Sequence, residues 1–152
     1  MGRIFNRRGG WHQKLSSFRS GLEDTLAEQI ERTTGSVSYE QLDICYTVPA
    51  SDHCYTPDFV LPNGIIIESK GIFDAADRKK HLLIQKQYPW LDIRFVFSNA
   101  SLKIYKGSRT TCGDWCTKNG FKYASKTIPA SWFKEEKKKT VGLRPKKKEV
   151  VY

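Results

Sequence analysis

Three ionisable side chains in the stretch TPDFVLPNGIIIESKG, residues 56–71, are spaced to do chemistry: Asp58, Glu68 and Lys70. Glu68 and Lys70 are two apart, so on a strand they share a face. Read as a plain surface ion pair they would contribute about 0–1 kcal/mol, and that reading leaves Asp58 and the three isoleucines before Glu68 unexplained. If Asp58 lies opposite Glu68 on a neighbouring strand, two like charges face each other and repel. A divalent cation between them removes the conflict. Hard ions such as magnesium take carboxylate oxygens plus waters and seldom need a full protein cage.

Whether Asp58 meets Glu68 depends on a turn. A two-residue Asn-Gly turn would place Pro62 in the ladder, where its missing N–H breaks a cross-strand bond. A three-residue loop puts Pro62 where its fixed φ is favoured and Gly64 at a left-handed bulge. That register sets Leu61 against Ile65, Val60 against Ile66, Phe59 against Ile67 and Asp58 against Glu68.

The elements around this hairpin are readable in outline. Phe18, Leu22, Leu26 and Ile30 recur every four residues, which predicts a helix capped by Ser16 or Ser17 and ended by Gly35, with Glu23 at the border of its apolar stripe. VSYEQLDICYTV reads as extended. PASDHCYTP, with two prolines in nine residues, reads as a stiff connector. DAADRKKHLLIQKQYP predicts a helix capped by Asp74 and stopped by Pro89, packing through Leu82, Leu83 and Gln87. LDIRFVFSN is a buried strand, with SLKIYKG pairing beside it. TCGDWCTKNG and IPASWFKEE predict two short helices. The order implies an α/β fold with a small, mixed central β-sheet flanked by helices.

The charge is unevenly placed. Of a net +10, residues 1–20 hold five basic residues and no acid, and residues 134–152 hold eight basic residues against three acids. Residues 21–133 balance at 13 of each sign. Two basic tails around a neutral body suit a polyanionic partner contacted without sequence reading. The expected organisation is a basic, flexible arm over 1–16, a domain over 17–133 with a bridge at 48–57, and a basic tail over 134–152. No apolar run reaches membrane-spanning length, and the first residues lack the apolar core of a secretory signal. A cytoplasmic chain without a membrane partner is expected. In that setting Cys45, Cys54, Cys112 and Cys116 are expected as reduced thiols, and their spacing lacks the paired signature of a zinc site.

Pro57-Asp58 followed ten residues later by Glu68-Ser69-Lys70 matches the PD-(D/E)xK nuclease signature. The pattern is loose alone, but FRSGLED (18–24), VPASDHCYTPDFVLPNGI (48–65), ESKG (68–71), DRKKHLLI (77–84) and YKGS (105–108) together resemble the phage endonuclease I family of Holliday-junction resolvases. The resemblance covers roughly residues 17–133. It implies a restriction-endonuclease-like core and a homodimer that swaps the first helix and the following strand. It also implies metal-dependent hydrolysis of branched DNA such as four-way junctions, in the host-cell cytoplasm if the chain is phage-encoded.

Carried over residue by residue, the resemblance makes Glu23, Asp58, Glu68 and Lys70 the catalytic set. Magnesium or manganese, two ions per site, would be held by Glu23, Asp58, Glu68 and the Ser69 carbonyl. Lys70 would position or deprotonate a water, or neutralise charge on the phosphate. Arg19, Arg78, Lys79, Lys80, His81 and Lys106 are the candidate DNA contacts. A nuclease of the same signature with another substrate, such as a restriction enzyme, is the nearest alternative; a non-catalytic basic DNA-binding protein is the more distant one.

Overall fold

A computed structural model describes residues 20–146 of the chain. In order, the elements are α1 (Gly21–Thr34), β1 (Leu42–Val48), β2 (Ser51–Tyr55), β3 (Phe59–Val60), β4 (Ile66–Lys70), α2 (Ala75–Gln87), β5 (Ile93–Phe97), α3 (Cys112–Asn119), β6 (Tyr123–Ser125), α4 (Ala130–Phe133) and β7 (Leu143–Pro145). They form a mixed α/β fold with two small sheets in place of the single one expected. One has the order β3-β4-β5-β6 and the other β2-β1-β7. β4 runs parallel to β5, and β5 to β6. Both joins need a crossover, which α2 and α3 supply.

β4 is buried from Ile66 to Ser69 and β5 through its length, because both faces of the larger sheet are covered. Ile66, Phe95 and Phe97 face one layer, with Ile84 of α2 and Trp115 and Cys116 of α3. Ile67 and Val96 face the other, with Leu26, Ala27 and Ile30 of α1 and Trp132 of α4. Burying each such aliphatic side chain contributes about 1.5–3 kcal/mol. The smaller sheet joins the α2 side through Ile44 and Tyr55.

The hairpin register is the expected one. Phe59 pairs with Ile67 and Val60 with Ile66. The Leu61 N–H donates to the Ile65 carbonyl at 2.8 Å, enclosing Pro62, Asn63 and Gly64. Gly64 sits at φ +88°, and a Cβ there would meet Thr140 Cγ2 at 2.9 Å and the Lys138 carbonyl at 3.1 Å. Gly64→Ala is therefore expected to lower unfolding stability by about 1–3 kcal/mol, read as a lower urea midpoint at unchanged slope. An unchanged midpoint would refute this.

Several expectations are corrected. Ser20 caps α1, its hydroxyl accepting from the Glu23 N–H at 3.2 Å, while Phe18, Ser16 and Ser17 lie outside the described residues. The Pro49–Pro57 connector contains β2, which folds back on β1 across the Pro49-Ala50 turn. Opposite β4, the partner of β5 is β6, not residues 101–107. That loop closes on itself through Ile104 N–H to the Thr110 carbonyl at 3.0 Å. In α2 the buried positions are His81 and Ile84, whereas Leu82 is exposed. Of the expected tail, residues 143–145 form β7 along β1. Finally, Cys45 and Cys54 are cross-strand partners joined by a disulfide, and Cys112 and Cys116 are free and buried. The reduced state expected for Cys45 and Cys54 came from the compartment, which says nothing about the register that sets them side by side.

Candidate active site

α1 carries Glu23, Asp58 stands just before β3 and β4 carries Glu68, and the Asp58 charge is felt by Glu68 as that of Glu23 is by Asp58. Glu23, Asp58, Glu68 and Ser69 are each between 4% and 9% exposed. Burying carboxylates is costly without partners, and each has a dedicated donor. Asp58 Oδ2 accepts from the Ser69 N–H at 2.9 Å and the Ser69 hydroxyl at 2.7 Å. The Tyr55 hydroxyl donates to Glu68 Oε2, and the Tyr39 hydroxyl to Glu23 Oε2. Lys70 Nζ lies 3.4 Å from Glu68 Oε1 and 3.2 Å from Asp77 Oδ1. Asp77 is placed by the first turn of α2, whose cap, Asp74, accepts from the Asp77 N–H at 2.8 Å.

The electrostatics follow from burial. Desolvation first, and then the nearby Asp58 charge, pushes the Glu68 carboxyl up to about 7. Burial also raises Asp58, against the two bonds from Ser69 that favour its charged form, and Glu23 adds to the rise. Burial works against the Lys70 charge, but Glu68 and Asp77 outweigh it and hold the ammonium above the ordinary lysine range. Burial, with the Glu68 charge beside it, keeps the Tyr55 hydroxyl protonated and so a donor.

Among the described residues no group of three or more His, Cys, Asp or Glu side chains is assembled as a metal-binding cluster. The donor chemistry nonetheless suits a hard divalent cation. The hairpin end offers carboxylate oxygens and the Ser69 carbonyl, and burial first, then a neighbouring negative charge, raises both acids; a cation would offset the second of these.

The candidate DNA contacts separate. Lys79 and Lys106 are exposed. Lys80 lies 4.8 Å over the Tyr55 ring and 3.6 Å from Asp77, at the rim of the site. Arg78 donates to the carbonyls of Phe73 at 2.5 Å and Ile104 at 3.2 Å, so it braces the loop that follows β5. Arg19 lies outside the described residues. His81 is a correction: it is fully buried, edge-on to Tyr55 and Phe95, and burial holds its imidazole well below the ordinary histidine range. A neutral ring with no exposed atom has nothing to offer a phosphate.

Sequence reasoning missed Tyr39, Tyr55 and Asp77. Tyrosines in extended segments read as packing residues, and only the fold aims their hydroxyls at carboxylates. Asp77 carried a local signal, since it follows the cap of a helix that starts beside the lysine.

Comparison with known proteins gives the class first: the relatives are nucleases. The chain is 52% identical over 136 residues to Endonuclease I of Escherichia phage T7, covering 90% of this chain and 91% of that one. It is 56% identical over 122 residues to Endodeoxyribonuclease 1 of Enterobacteria phage T3, covering 80% of each. The phage endonuclease I family matches residues 1–150, and the chain belongs to that family.

Proposed function

We propose that this chain, an endodeoxyribonuclease by its family, is a metal-dependent nuclease that resolves four-way junctions and other branched DNA. One observation carries the metal reading. Two buried carboxylates, Asp58 and Glu68, stand at the end of one hairpin with Lys70 beside them, each raised by burial and then by a neighbouring negative charge. A protein that only binds DNA gains nothing from negative charge facing phosphate. The four-stranded mixed sheet with helices on both faces suits a restriction-endonuclease-like core.

Asp58, Glu68 and the Ser69 carbonyl would hold one magnesium or manganese ion, and Asp58 with Glu23 a second. Bound there, such ions would supply a lowered pKa for a water and charge stabilisation at the attacking and leaving oxygens. The chain's own groups prepare the rest. Ser69 fixes the rotation of the Asp58 carboxylate, Tyr55 that of Glu68 and Tyr39 that of Glu23. Lys70, held protonated, orients a water or neutralises the phosphate better than it abstracts a proton. Lys79, Lys80 and Lys106, with the basic tails, meet backbone phosphates.

The test compares a synthetic four-way junction with a linear duplex of the same sequence, each with magnesium and with calcium. Symmetric nicking of the junction in magnesium, by wild type and not by Asp58→Asn, is the expected result. Equal cutting of both substrates removes the junction selectivity. Binding without cutting in either metal returns the protein to an architectural role.

Junctions offer two symmetry-related strands, which suits a dimer. An exchange of α1 and β1 between chains is supported by the turn that joins β1 to β2. Val48 pairs with Ser51, leaving Pro49 and Ala50 as a two-residue loop. The turns that suit such hairpins need positive φ at the first loop residue, which proline cannot adopt. Ala50 takes the strain at φ +113°. Opening this turn hands α1 to a second chain, so Glu23 of one copy completes the Asp58–Glu68–Lys70 set of the other. A mixture of Glu23→Ala and Asp58→Ala chains should then regain one working site per heterodimer; a mixture as inert as either variant alone rejects the exchange.

A further inference from the structure

The β1–β2 register is symmetric about the Pro49–Ala50 peptide. Ile44 pairs with Tyr55, Cys45 with Cys54, Tyr46 with His53, Thr47 with Asp52 and Val48 with Ser51, each pair equidistant from that bond. Two chains extended through the turn and laid antiparallel about a two-fold axis therefore make the same five pairs between subunits. The strained loop disappears and no partner changes identity.

One of those pairs is covalent. Cys45 and Cys54 are directly opposed, with Cα atoms 4.1 Å apart, and they are joined by a disulfide. We propose that this pair is a redox-modification site that links the two subunits of the exchanged dimer, Cys45 of each chain to Cys54 of the partner subunit, through two symmetry-related disulfides. The inference rests on the exchange proposed above.

The surroundings favour Cys54 as the thiol that reacts first. It lies on an exposed strand, and Arg144 of β7 holds its guanidinium 3.1 Å from the Cys54 sulfur. A neighbouring cation favours the thiolate, which is the nucleophile. The oxidant is a small-molecule disulfide. The Cys54 thiolate attacks one of its sulfurs and expels one small thiolate, leaving a mixed disulfide. The Cys45 thiolate opposite then attacks the Cys54 sulfur and expels the second. Two protein thiols lose two protons and two electrons, and one small disulfide becomes two thiols. Reduced, the exchanged dimer can part by reopening the bridge. Oxidised, it cannot part without a reductant.

The experiment oxidises the full-length protein with oxidised glutathione and follows it by non-reducing gel and intact mass. Wild type should run as a covalent dimer that dithiothreitol returns to single chains. Cys45→Ser and Cys54→Ser, each alone, should give no covalent dimer. Mixed and unfolded together, then refolded and oxidised, the two variants should give a covalent heterodimer with one link, and peptide mapping should place it between Cys45 and Cys54. Wild type that forms the link only within single chains overturns the proposal. The two failures are separable. Reduced protein that sediments as a monomer at every concentration, and whose Glu23→Ala and Asp58→Ala mixture stays inert, rejects the exchange itself. A reduced dimer that recovers cutting in the Glu23→Ala and Asp58→Ala mixture, yet yields no covalent pair on oxidation, rejects the cross-link alone.

Discussion

Glu68→Gln is expected to abolish cleavage and, at the same time, to make the protein harder to unfold at pH 8. Glu68 is 5% exposed, its carboxyl is raised from an ordinary 4.5 to about 7, and the cause is burial, then Asp58. The sign follows from linkage. The folded chain binds this proton more tightly than the unfolded one, so Glu68 does not oppose folding below about pH 4.5, opposes it increasingly as pH rises to about 7, and opposes it by a constant amount above that. An amide keeps an acceptor for the Tyr55 hydroxyl and removes the charge, while Lys70 keeps Asp77 at 3.2 Å. In metal-free buffer at pH 8 the gain should be about 2 kcal/mol, a Tm rise of roughly 4–8 °C. At pH 4 it should vanish. Thermal scans of both proteins at both pH values measure it, and a gain over wild type no larger at pH 8 than at pH 4 would show that Glu68 is not held under strain. Rate should fall by on the order of a thousandfold or more, as expected for loss of a charged group at a reacting centre.

The second large effect lies on the opposite face of the sheet. Arg94 is fully buried in β5, beneath the Trp132 ring at 4.9 Å. Its guanidinium donates twice to Asp92, at 2.8 Å each, and to Glu135 at 2.5 and 2.9 Å. Arg94→Met should lower stability by about 3 kcal/mol, because the four hydrogen bonds that tie Asp92 to Glu135 are lost and only Lys138, 3.6 and 3.3 Å away, still links the two acids. Both acids retain some exposure and can recruit water, which keeps the cost from being larger. The hydrogen bonds from Arg94 hold the Glu135 carboxyl down to about 2. Its contribution is therefore present above pH 4.5 and lost as pH falls toward 2, so the gap between variant and wild type should narrow over that range. Neutralising the acids as well, with Asp92→Asn and Glu135→Gln, should recover part of the loss. Cleavage of a junction at low temperature should stay at the wild-type rate, since Arg94 touches none of the site residues. Denaturation midpoints across pH give the first result, and a midpoint that does not move with Arg94→Met refutes it.

What could be read from the chain alone was local. Pro62 and Gly64 dictated the loop, the loop dictated the register, and the register brought Asp58 to Glu68. Asp74 and Gly35 marked helix ends because caps are built from a few adjacent residues. What could not be read was long-range pairing. Tyr123–Ser125 has three residues, two of them exposed, and it becomes a strand only because α3 returns it to β5. His81 sits in a basic run that reads as a wet surface. Its burial follows from the Tyr55 and Phe95 rings packed on it, which neither spacing nor charge reveals. The tyrosine hydroxyls on Glu23 and Glu68 come from segments 16 and 13 residues away, joined only in the fold.

The pairing of β1 with β7 has a consequence for the order of events during synthesis. Leu42 is matched with Pro145, so one edge of β1 waits for a mate about a hundred residues downstream. At ribosomal rates of 5–20 residues per second, that edge stays bare for roughly 5–20 seconds after β1 emerges. An unpaired strand edge is a template for another strand, and β2, the other mate of β1, follows at once but across a turn that resists closing. The interval is a window in which two nascent copies can find each other, and it shuts only when β7 arrives.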